Sequence, residues 1–526
     1  MSQLKKSAQS IVTIMLFTIA SKALGFVREA LIASNYGSGA STDTFFIALS
    51  AITLFSALIT QTINTTLIPI LSDVEVHEGK EGKEGKLKHL NNFLNIITIV
   101  AFIIVVLGYF LTPLLMNVLG RGFQGEQFEF AISLTRIGLP VLVVSAIVGV
   151  FRGYLQSEER FIVAEAAAFP MNIVYILFLF LLAQYFSIYA LMIVTILAEA
   201  SQLLIQLPSL RKLGYRYQWT IDLQDKYMSR IATLIPPVLL SVGISDLNSL
   251  IDKSMASSLA QGSVSALNYA GVLNGLVQSV FVMAIITVVF PIFSKEANAR
   301  NYPQLKQVMH TSLNVVLLIT IPATIGIIIL ANPIVKFAYQ RGEFAETATL
   351  MTSGALIFYS LGLVGTAVKS VITRVFYALQ DTKTPMKNSL YALILNFVFN
   401  LILVQFMGHL GLALATSISA VITAIVLLYG LRKKIGQLGL KAMTKSSIKT
   451  LISSIIMGVV VYLFYNYSLA TFNPSRLAEL VLMLGTVLLG VIVYVFFLYL
   501  FKTEELLFLL DYIKRQWQER KQNNNL

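Results

Sequence analysis

Residues 21–43 read SKALGFVREALIASNYGSGASTD, and they place four charged side chains in or beside the first long apolar stretch of the chain. These side chains are Lys22, Arg28, Glu29 and Asp43. A charge at bilayer depth costs about 2.5–3.5 kcal/mol, so such side chains face a protein interior or a water-filled cavity. Lys22 and Arg28 lie within two helical turns of each other, which favours an anion site. A structural ion pair of Arg28 with Glu29 or Asp43 would explain the same charges.

The composition excludes an ordinary soluble domain. Of the 526 residues, 56% are hydrophobic and 12% are charged, as expected of a multi-pass membrane protein. The absence of cysteine from the sequence excludes disulfides, thiol nucleophiles and cysteine metal sites. The net charge of +13 follows from membrane topology, so no nucleic-acid partner is expected. The sequence contains neither a GxxxxGK[ST] phosphate loop nor a catalytic triad pattern, so we expect a protein that is not an enzyme. A monomer is expected as well.

Fourteen apolar runs are long enough to cross a bilayer, which takes about 20 residues each. They lie near residues 8–34, 42–72, 89–115, 128–156, 160–183, 187–210, 228–258, 264–294, 303–331, 347–379, 384–406, 410–432, 446–467 and 477–501. The fold class that they predict is an all-α polytopic membrane protein with 14 transmembrane helices. An even number of spans places both termini on the same side of the membrane.

The basic residues predict which side that is. Of the 39 lysines and arginines, 28 fall in segments on the side of the termini, and seven lie within spans or at their edges. Only four fall on the opposite side, namely Arg121, Lys336, Arg341 and Arg476. Because loops rich in lysine and arginine stay in the cytoplasm, both termini are predicted to be cytoplasmic.

Spans one to six repeat as spans seven to twelve when the sequence is shifted by 222 positions. This shift aligns the PILS of residues 69–72 with the PIFS of residues 291–294, and Arg152 with Arg374. Six spans are an even number, so the two halves share an orientation and are related by a pseudo-two-fold axis along the membrane normal. The predicted division is an N-terminal lobe over 1–212, a C-terminal lobe over 213–435, the last two spans over 436–502 and a cytoplasmic amphipathic tail over 503–526.

Polar residues within the spans differ between the two halves. When the sequence is shifted by 222 positions, the four charged residues of the opening stretch align with uncharged residues. This difference favours a functional role for the charges in the first half. In the second half, Asn396 and Asn400 lie four apart on one helix, and with Asp252 and Thr416 they offer oxygen ligands for a sodium ion. A helix-packing hydrogen-bond network, at about 0.6 kcal/mol per bond, would use the same amides. Asp252 could also form a simple ion pair with Lys253.

Five motifs give the chain a resemblance to a known family. They are SKALGFVREA at 21–30, TDTFFIA at 42–48, QGSVSALNYA at 261–270, QRGEF at 340–344 and RVFYALQDTKTP at 374–385. Together they resemble the MviN/MurJ-type lipid II flippases of the multidrug/oligosaccharidyl-lipid/polysaccharide exporter superfamily. The resemblance implies two six-helix lobes around a cationic cavity, a groove for a polyprenyl tail in the last two spans, and a lipid-linked sugar pyrophosphate as substrate. It also implies a bacterial cytoplasmic membrane, with membrane lipids around the protein.

The resemblance also implies substrate-binding positions. Lys22 and Arg28 match two basic cavity positions of the family, and Asp43 matches the acidic one, with Glu29 beside Arg28. Two positions of the second span depart from the family pattern, because Ser56 replaces an arginine and Gln61 replaces a glutamate. Val272 replaces a further arginine in the eighth span. The candidate substrate site is therefore Lys22, Arg28, Glu29, Asp43, Ser56 and Gln61, with half of the usual cationic groups missing.

The function predicted from these features is a flippase that moves the cell-wall precursor lipid II from the cytoplasmic to the outer leaflet. The missing arginines make a flippase for another undecaprenyl-linked oligosaccharide, of an exopolysaccharide or teichuronic type, the first alternative. A drug or cation antiporter of the same superfamily would favour acidic cavity residues, against which the cationic first span argues. A membrane-embedded glycosyltransferase or ligase would usually carry catalytic carboxylates or a large loop outside the membrane. A non-transporting scaffold is also compatible with the sequence. No cofactor is expected apart from the candidate sodium ion.

The charge distribution yields a prediction of topology. We expect the loop around residues 77–88 to be cytoplasmic and residues 336–343 to be external. Single cysteines introduced into this cysteine-free chain can be labelled with a membrane-impermeant reagent in intact cells. Labelling at 336–343 and protection at 77–88 is the expected result, and the reverse pattern would overturn the orientation.

Overall fold

A computed structural model describes residues 2–77, 82–225, 227–229, 243, 247–472 and 475–503. The predicted tail over 503–526 lies outside the described residues, apart from Thr503. So does most of the predicted seventh span, of which residues 247–256 are helical. The repetitive loop over 77–88 is described on either side of 78–81.

The first half of the chain forms the helices α1 (Ser2–Tyr36), α2 (Ala40–His77), α3 (Gly82–Leu119), α4 (Glu126–Gly138), α5 (Val141–Ser157), α6 (Phe161–Ala166), α7 (Ala168–Leu181), α8 (Ile188–Ser201) and α9 (Leu203–Lys212). A short 3₁₀ turn over Ala183–Tyr185 separates α7 from α8. Long apolar runs form helices because a helix satisfies its own backbone polar groups, which lipid cannot do.

The second half forms α10 (Ser263–Val277), α11 (Met283–Asn298), α12 (Tyr302–Tyr339), α13 (Glu346–Ser360), α14 (Leu363–Ala378), α15 (Lys383–Met407), α16 (His409–Ile435), α17 (Leu440–Phe472) and α18 (Arg476–Leu500). A π-helical turn over Gln278–Val282 joins α10 to α11. The described parts of the chain contain no β-strand.

Twelve of the fourteen predicted spans are recovered by length and apolar character. Eleven helical segments meet that test singly, and α13 with α14 form a pair that is bent by 44°. The other two predicted spans are the first, which forms the 35-residue helix α1, and the seventh, which is mostly outside the described residues. The prediction of an all-α polytopic membrane protein is confirmed.

Packing divides the chain into two compact units with boundaries of their own. The first unit comprises residues 1–269 and 339–351, and the second comprises residues 270–338 and 352–526. The predicted lobe boundary at residues 212 and 213 follows the sequence repeat, whereas these units follow contacts between helices. The described part of the predicted seventh span therefore belongs to the first unit.

Each unit has buried apolar cores within it. In the first unit, α2, α3, α5 and α9 meet around Leu67, Leu71, Phe93, Tyr154 and Leu210. In the second unit, one core joins α11, α12, α14 and α16, and another joins α12 to α17 and α18. These cores use only part of the apolar surface: Phe102 and Phe110 of α3, for example, are 60% and 72% exposed. Exposed large apolar side chains of this kind, along a spanning helix, are suited to contact lipid.

The QRGEF segment at residues 340–344 packs against the end of α1. The backbone N–H of Glu343 donates to the carbonyl oxygen of Ser34 at 2.9 Å. The Phe344 ring is buried against the rings of Tyr269 and Tyr339, with centroids 5.5 and 5.7 Å away. Gly342 has a φ of +57°, and a Cβ there would lie 2.1 Å from the Ser34 carbonyl oxygen. Only glycine therefore fits this turn without moving the backbone.

A carboxylate fixes a second turn, at the start of α15. Asp381 accepts hydrogen bonds from the backbone N–H of Thr384 at 3.0 Å and from its hydroxyl at 2.8 Å. Lys434 donates to the same carboxylate at 2.6 Å. Partial burial acts to raise the pKa of Asp381, but the hydrogen bonds from Lys434 and Thr384 lower this pKa to about 2. Asp381 is thus a charged cap for α15.

Gly342 provides a test of this packing. We expect Gly342→Ala to lower the thermal stability of the purified protein, because the left-handed conformation alone costs an alanine about 1–2 kcal/mol and the contact with Ser34 adds to that. Gly39→Ala is the matched control, since a Cβ at Gly39 meets no atom within 4 Å. Thermal unfolding in detergent measures both, and equal stabilities would show that the turn over 340–344 adjusts freely.

Candidate functional site

A cavity of about 540 Å³ lies inside the first unit, between α1, α2, α5, α7 and α8. The α2 helix lines it with Phe45, Leu49, Thr53, Ser56, Ala57, Thr60, Gln61 and Asn64. The successive gaps are mostly three or four residues, so these side chains share one face of α2. Hydroxyl and amide groups on that face make the wall polar within a membrane-spanning bundle, and such polar surface is suited to water or a polar ligand.

Arg28 and Glu29 of α1 form an ion pair at one side of the cavity. The Arg28 Nη2 lies 2.9 Å from Glu29 Oε1, and the two side chains are 24% and 8% exposed. The guanidinium also lies 5.0 Å from the centre of the Tyr175 ring of α7, at a cation–π distance. The sequence left open whether Arg28 pairs with Glu29, and the structure contains that pair. A guanidinium has five N–H donors, so one bond to Glu29 leaves others for a ligand.

Glu29 connects the cavity to a polar network on its other side. The Asn268 side-chain amide of α10 donates to Glu29 Oε2 at 3.4 Å. Lys253 donates in turn to Asn268 Oδ1 at 3.0 Å and to the hydroxyl of Ser50 at 2.8 Å. Lys253 therefore bonds to neutral groups of α2 and α10. Because Glu29 has Arg28 on one side and Asn268 on the other, its carboxylate is held in place.

A second arginine lines the same cavity. Arg152 of α5 donates from Nη2 to Glu165 Oε1 of α6 at 2.9 Å. Its Nε is buried and has no hydrogen-bond partner among the described residues. The Ser56 hydroxyl and the Asn64 Oδ1 of the α2 wall are also buried without a partner in that part of the chain. Buried polar atoms are nearly always hydrogen-bonded, so three such atoms on one cavity indicate a place for water or for a polar ligand.

Asp43 binds to the backbone at the start of α10. Its Oδ2 accepts from the N–H of Gly262 at 2.7 Å, and its Oδ1 accepts from the N–H of Ser265 at 2.8 Å and from the Ser265 hydroxyl at 2.5 Å. The side chain is buried, and Asp43 does not belong to the cavity lining. The first N–H groups of a helix lack partners within the helix. The Asp43 carboxylate of α2 is the missing partner of these N–H groups, and its negative charge is favourable at the N-terminal end of α10.

The cavity brings together four of the six predicted substrate-site residues. Arg28, Glu29, Ser56 and Gln61 line it, whereas Lys22 and Asp43 do not. Lys22 is exposed and lies six residues before Arg28 on α1, about 9 Å along the helix axis.

The other fifteen lining residues were not predicted from the sequence as members of the substrate site, and four of them matter most for its chemistry. They are Arg152, Asn64, Tyr175 and Glu199. Intramembrane polarity was the available signal for Arg152, Asn64 and Glu199. Tyr175 gave no such signal, because aromatic residues are common along apolar spans.

The residues of the predicted sodium site are distributed over both units. In the second unit, the Asn396 amide donates to the Thr416 hydroxyl at 3.1 Å, and the Asn400 amide donates to Asn396 Oδ1 at 2.9 Å. These bonds form an interhelical network between α15 and α16, which the same amides also allowed from the sequence. Asp252 belongs to the first unit. Sodium binding by these four residues stays a prediction.

Comparisons with known proteins agree on one family. The family profile described as "Lipid II flippase MurJ" matches residues 32–483. A protein of Rickettsia prowazekii, described as a probable lipid II flippase MurJ, is 27% identical over 473 residues, which cover 89% of this chain and 92% of that protein.

Solved structures give the same result. A structure titled as the lipid II flippase MurJ in an inward closed conformation superposes with a TM-score of 0.78 at 26% identity, covering 93% of this chain and 98% of that one. An inward-facing multidrug MATE transporter superposes with a TM-score of 0.64 at 16% identity, covering 82% of this chain and 99% of that one. At that identity the second likeness concerns the fold alone.

The position of Asp43 makes a test that separates support from binding. Asp43→Asn keeps the shape but turns one acceptor oxygen into an N–H₂ donor that faces a backbone N–H. We expect it to lower stability by about 1–2 kcal/mol, the size of a lost helix cap. Thermal unfolding in detergent is the measurement, with Glu126→Gln at an exposed position in the first turn of α4 as the control. Lost transport at unchanged stability would instead make Asp43 a substrate ligand.

Proposed function

The chain belongs to the lipid II flippase MurJ family, and we propose that the cavity between α1, α2, α5, α7 and α8 binds the head group of lipid II during translocation. The resemblance indicated by the five sequence motifs is confirmed by the family match. The observation that carries the proposal is that two features occur in one cavity lining. The lining contains two arginines, Arg28 and Arg152, and its α2 wall carries buried polar atoms that have no hydrogen-bond partner among the described residues. The protein is a multi-pass membrane transporter of a family that moves a lipid-linked substrate.

The diphosphate of the substrate binds to the two arginines. Each planar guanidinium can hold two oxygens of a phosphate at once, and a charge-assisted bond is stronger than a neutral one. Arg28 keeps donors available beside its bond to Glu29, and the Arg152 Nε has no partner among the described residues. Each arginine already forms an ion pair with a carboxylate, so the positive charge of the site is largely neutralised before the substrate binds. The substrate then accepts hydrogen bonds from the remaining N–H donors of each arginine, and the ion pairs stay intact.

The sugar part of the substrate binds to the polar wall of α2. The Ser56 hydroxyl and Asn64 Oδ1 are buried without partners within the described chain, and Gln61 lies between them on the same helix. Sugar hydroxyls both donate and accept hydrogen bonds, so they can satisfy these atoms. The polyprenyl tail stays in lipid, where its apolar surface is not exposed to water. Movement proceeds from the cytoplasmic to the outer leaflet, with both termini in the cytoplasm.

A second candidate substrate is another polyprenyl-diphosphate-linked oligosaccharide. Ser56 favours it, because a neutral hydroxyl at this position leaves the α2 wall without the arginine of the family pattern. A wall with hydroxyl and amide groups selects less for negative charge and more for sugar hydroxyls. Sodium is the ion that we propose for coupling, with the side-chain oxygens of Asn396, Asn400 and Thr416 in the second unit as its ligands. Its test is sodium dependence of transport that the Asn396→Leu variant abolishes.

Substitutions of the arginines test the binding site. Loss of one charge-assisted bond costs about 1.5–3 kcal/mol, which is roughly ten- to hundredfold in affinity. We therefore expect Arg28→Ala and Arg152→Ala to abolish rescue of a bacterium depleted of its lipid II flippase, and Arg28→Lys to reduce it. Arg136→Gln is the matched control, because Arg136 binds the Tyr109 carbonyl oxygen and does not line the cavity.

A double variant distinguishes binding from support. If Arg28 serves only to neutralise Glu29, then Arg28→Gln together with Glu29→Gln removes both charges and restores transport that Arg28→Gln alone loses. If Arg28 holds the diphosphate, the double variant stays inactive at normal protein levels. Rescue by the unmodified chain is the separate test of the function. Growth supported by the chain only for a different lipid-linked oligosaccharide would favour the second substrate.

A further inference from the structure

An extended loop over residues 215–223 runs beside the third and fourth turns of α3 without forming a helix. The loop follows α9 after Gly214, which has a φ of +84°. Three asparagines of α3, Asn91, Asn92 and Asn95, face it and are only 1–3% exposed. Neither the cavity nor the arginines of the substrate site involve this loop.

The three asparagines bind the backbone of the loop at every second residue. The Asn91 amide donates to the carbonyl oxygen of Arg216 at 2.9 Å. The Asn95 amide donates to the carbonyl oxygens of Gln218 and Thr220, at 3.1 and 2.9 Å.

The third asparagine exchanges two bonds with Asp222. The Asn92 amide donates to the carbonyl oxygen of Asp222 at 2.8 Å, and the backbone N–H of Asp222 donates back to Asn92 Oδ1 at 2.7 Å. Two tyrosine hydroxyls complete the arrangement, because Tyr215 donates to Asn91 Oδ1 at 2.8 Å and Tyr217 donates to Asn95 Oδ1 at 3.0 Å. Carbonyl groups that would otherwise need water thus have partners within the protein.

The side chains between those carbonyls are large, apolar and exposed. Tyr217, Trp219, Ile221 and Leu223 are 57%, 68%, 46% and 72% exposed. Apolar residues at every second position, with polar residues between them, are typical of an extended chain, in which successive side chains point to opposite faces. Irregular backbone does not lie exposed within the hydrocarbon region, so a loop of this kind suits the membrane interface. There the apolar outer row can contact lipid while water reaches the backbone groups that α3 does not bind.

The path of the loop places Trp219 at its deepest point along α3. The carbonyls on either side of Trp219 bind Asn95, whereas the two ends of the loop bind Asn91 and Asn92, three or four residues earlier on α3. Asn95 precedes Ile99, the first of the exposed large apolar residues of α3, by about 6 Å along the helix axis. Trp219 therefore lies at the level where the lipid-facing surface of α3 begins.

The charges near the loop match a lipid surface. Three exposed basic residues lie next to the loop or within it, namely Arg211, Lys212 and Arg216, against one exposed aspartate, Asp222. Basic residues are attracted to anionic head groups. Tryptophan and tyrosine are enriched at membrane interfaces. We propose that residues 215–223 form a membrane-binding loop that inserts Trp219, Ile221 and Leu223 into the cytoplasmic leaflet, with anionic bilayer lipid as its partner and the asparagines of α3 as its support.

The fluorescence of Trp219 tests the proposal. The sequence contains only one other tryptophan, Trp517, so Trp517→Phe leaves Trp219 as the single reporter. The full chain is placed in vesicles that contain phosphatidylglycerol, with or without lipid brominated near the head group. We expect blue-shifted emission that brominated lipid quenches and that aqueous iodide does not. Quenching by iodide alone would overturn the proposal, and protection from both quenchers would do so too, because it would show that protein covers the loop.

Substitution of a supporting asparagine tests whether α3 holds the loop at the lipid surface. Asn95→Ala removes both amide bonds at the deepest point of the loop, so we expect Trp219 to become accessible to iodide and less sensitive to brominated lipid. Asn466→Ala is the matched control, since the Asn466 amide donates within its own helix, to the Tyr462 carbonyl oxygen. Unchanged quenching in Asn95→Ala at normal folding would contradict the role of the α3 asparagines.

Discussion

The ion pair between Arg28 and Glu29 is the interaction on which the cavity depends. A carboxylate that is 8% exposed within a spanning helix persists only when it has close partners. Arg28 supplies the charge and Asn268 supplies a further donor, so Glu29 is held between α1 and α10. The same pair fixes the direction of the Arg28 guanidinium without using all of its donors. The cost of burying the Glu29 charge thus sets the orientation of the Arg28 guanidinium in the cavity lining.

Two aspartates of the family motifs have structural contacts. Asp43 accepts from the N–H groups of Gly262 and Ser265 at the start of α10, and Asp381 accepts from Thr384 at the start of α15. Each carboxylate satisfies helix N–H groups that the helix itself cannot, and the helix dipole favours the negative charge there. A cap and a ligand both require a carboxylate, so a sequence motif alone cannot distinguish them. Hydrogen-bond partners can.

Hydropathy predicted the helical class and most spans because the bilayer requires about 20 apolar residues for each crossing. The cost of intramembrane charge singled out Arg28 and Glu29 as residues of interest, but it left open whether they form a pair or an anion site. The rest depended on contacts between distant parts of the chain, which no local pattern contains. Asp43 meets Gly262 across 219 positions. Arg152 belongs to the site because α5 packs beside α1 and α2 around one cavity, and its charge gave no information about that neighbourhood.

The groups that line the cavity are compatible with the anionic, hydroxyl-bearing substrate that we propose. Both arginines present donors, and the carboxylates are already engaged, since Glu29 accepts from Arg28 and Glu199 accepts from Ser145 at 3.1 Å. A cationic drug would meet two guanidinium groups, and the charge of Glu29 is already paired with Arg28, so of the two lining carboxylates only Glu199 remains to attract it. A diphosphate would accept hydrogen bonds from the N–H donors of the two arginines. Sugar hydroxyls would bind the atoms of Ser56 and Asn64 that have no partner in the described chain. The fold shared with a multidrug transporter therefore does not by itself indicate a shared substrate.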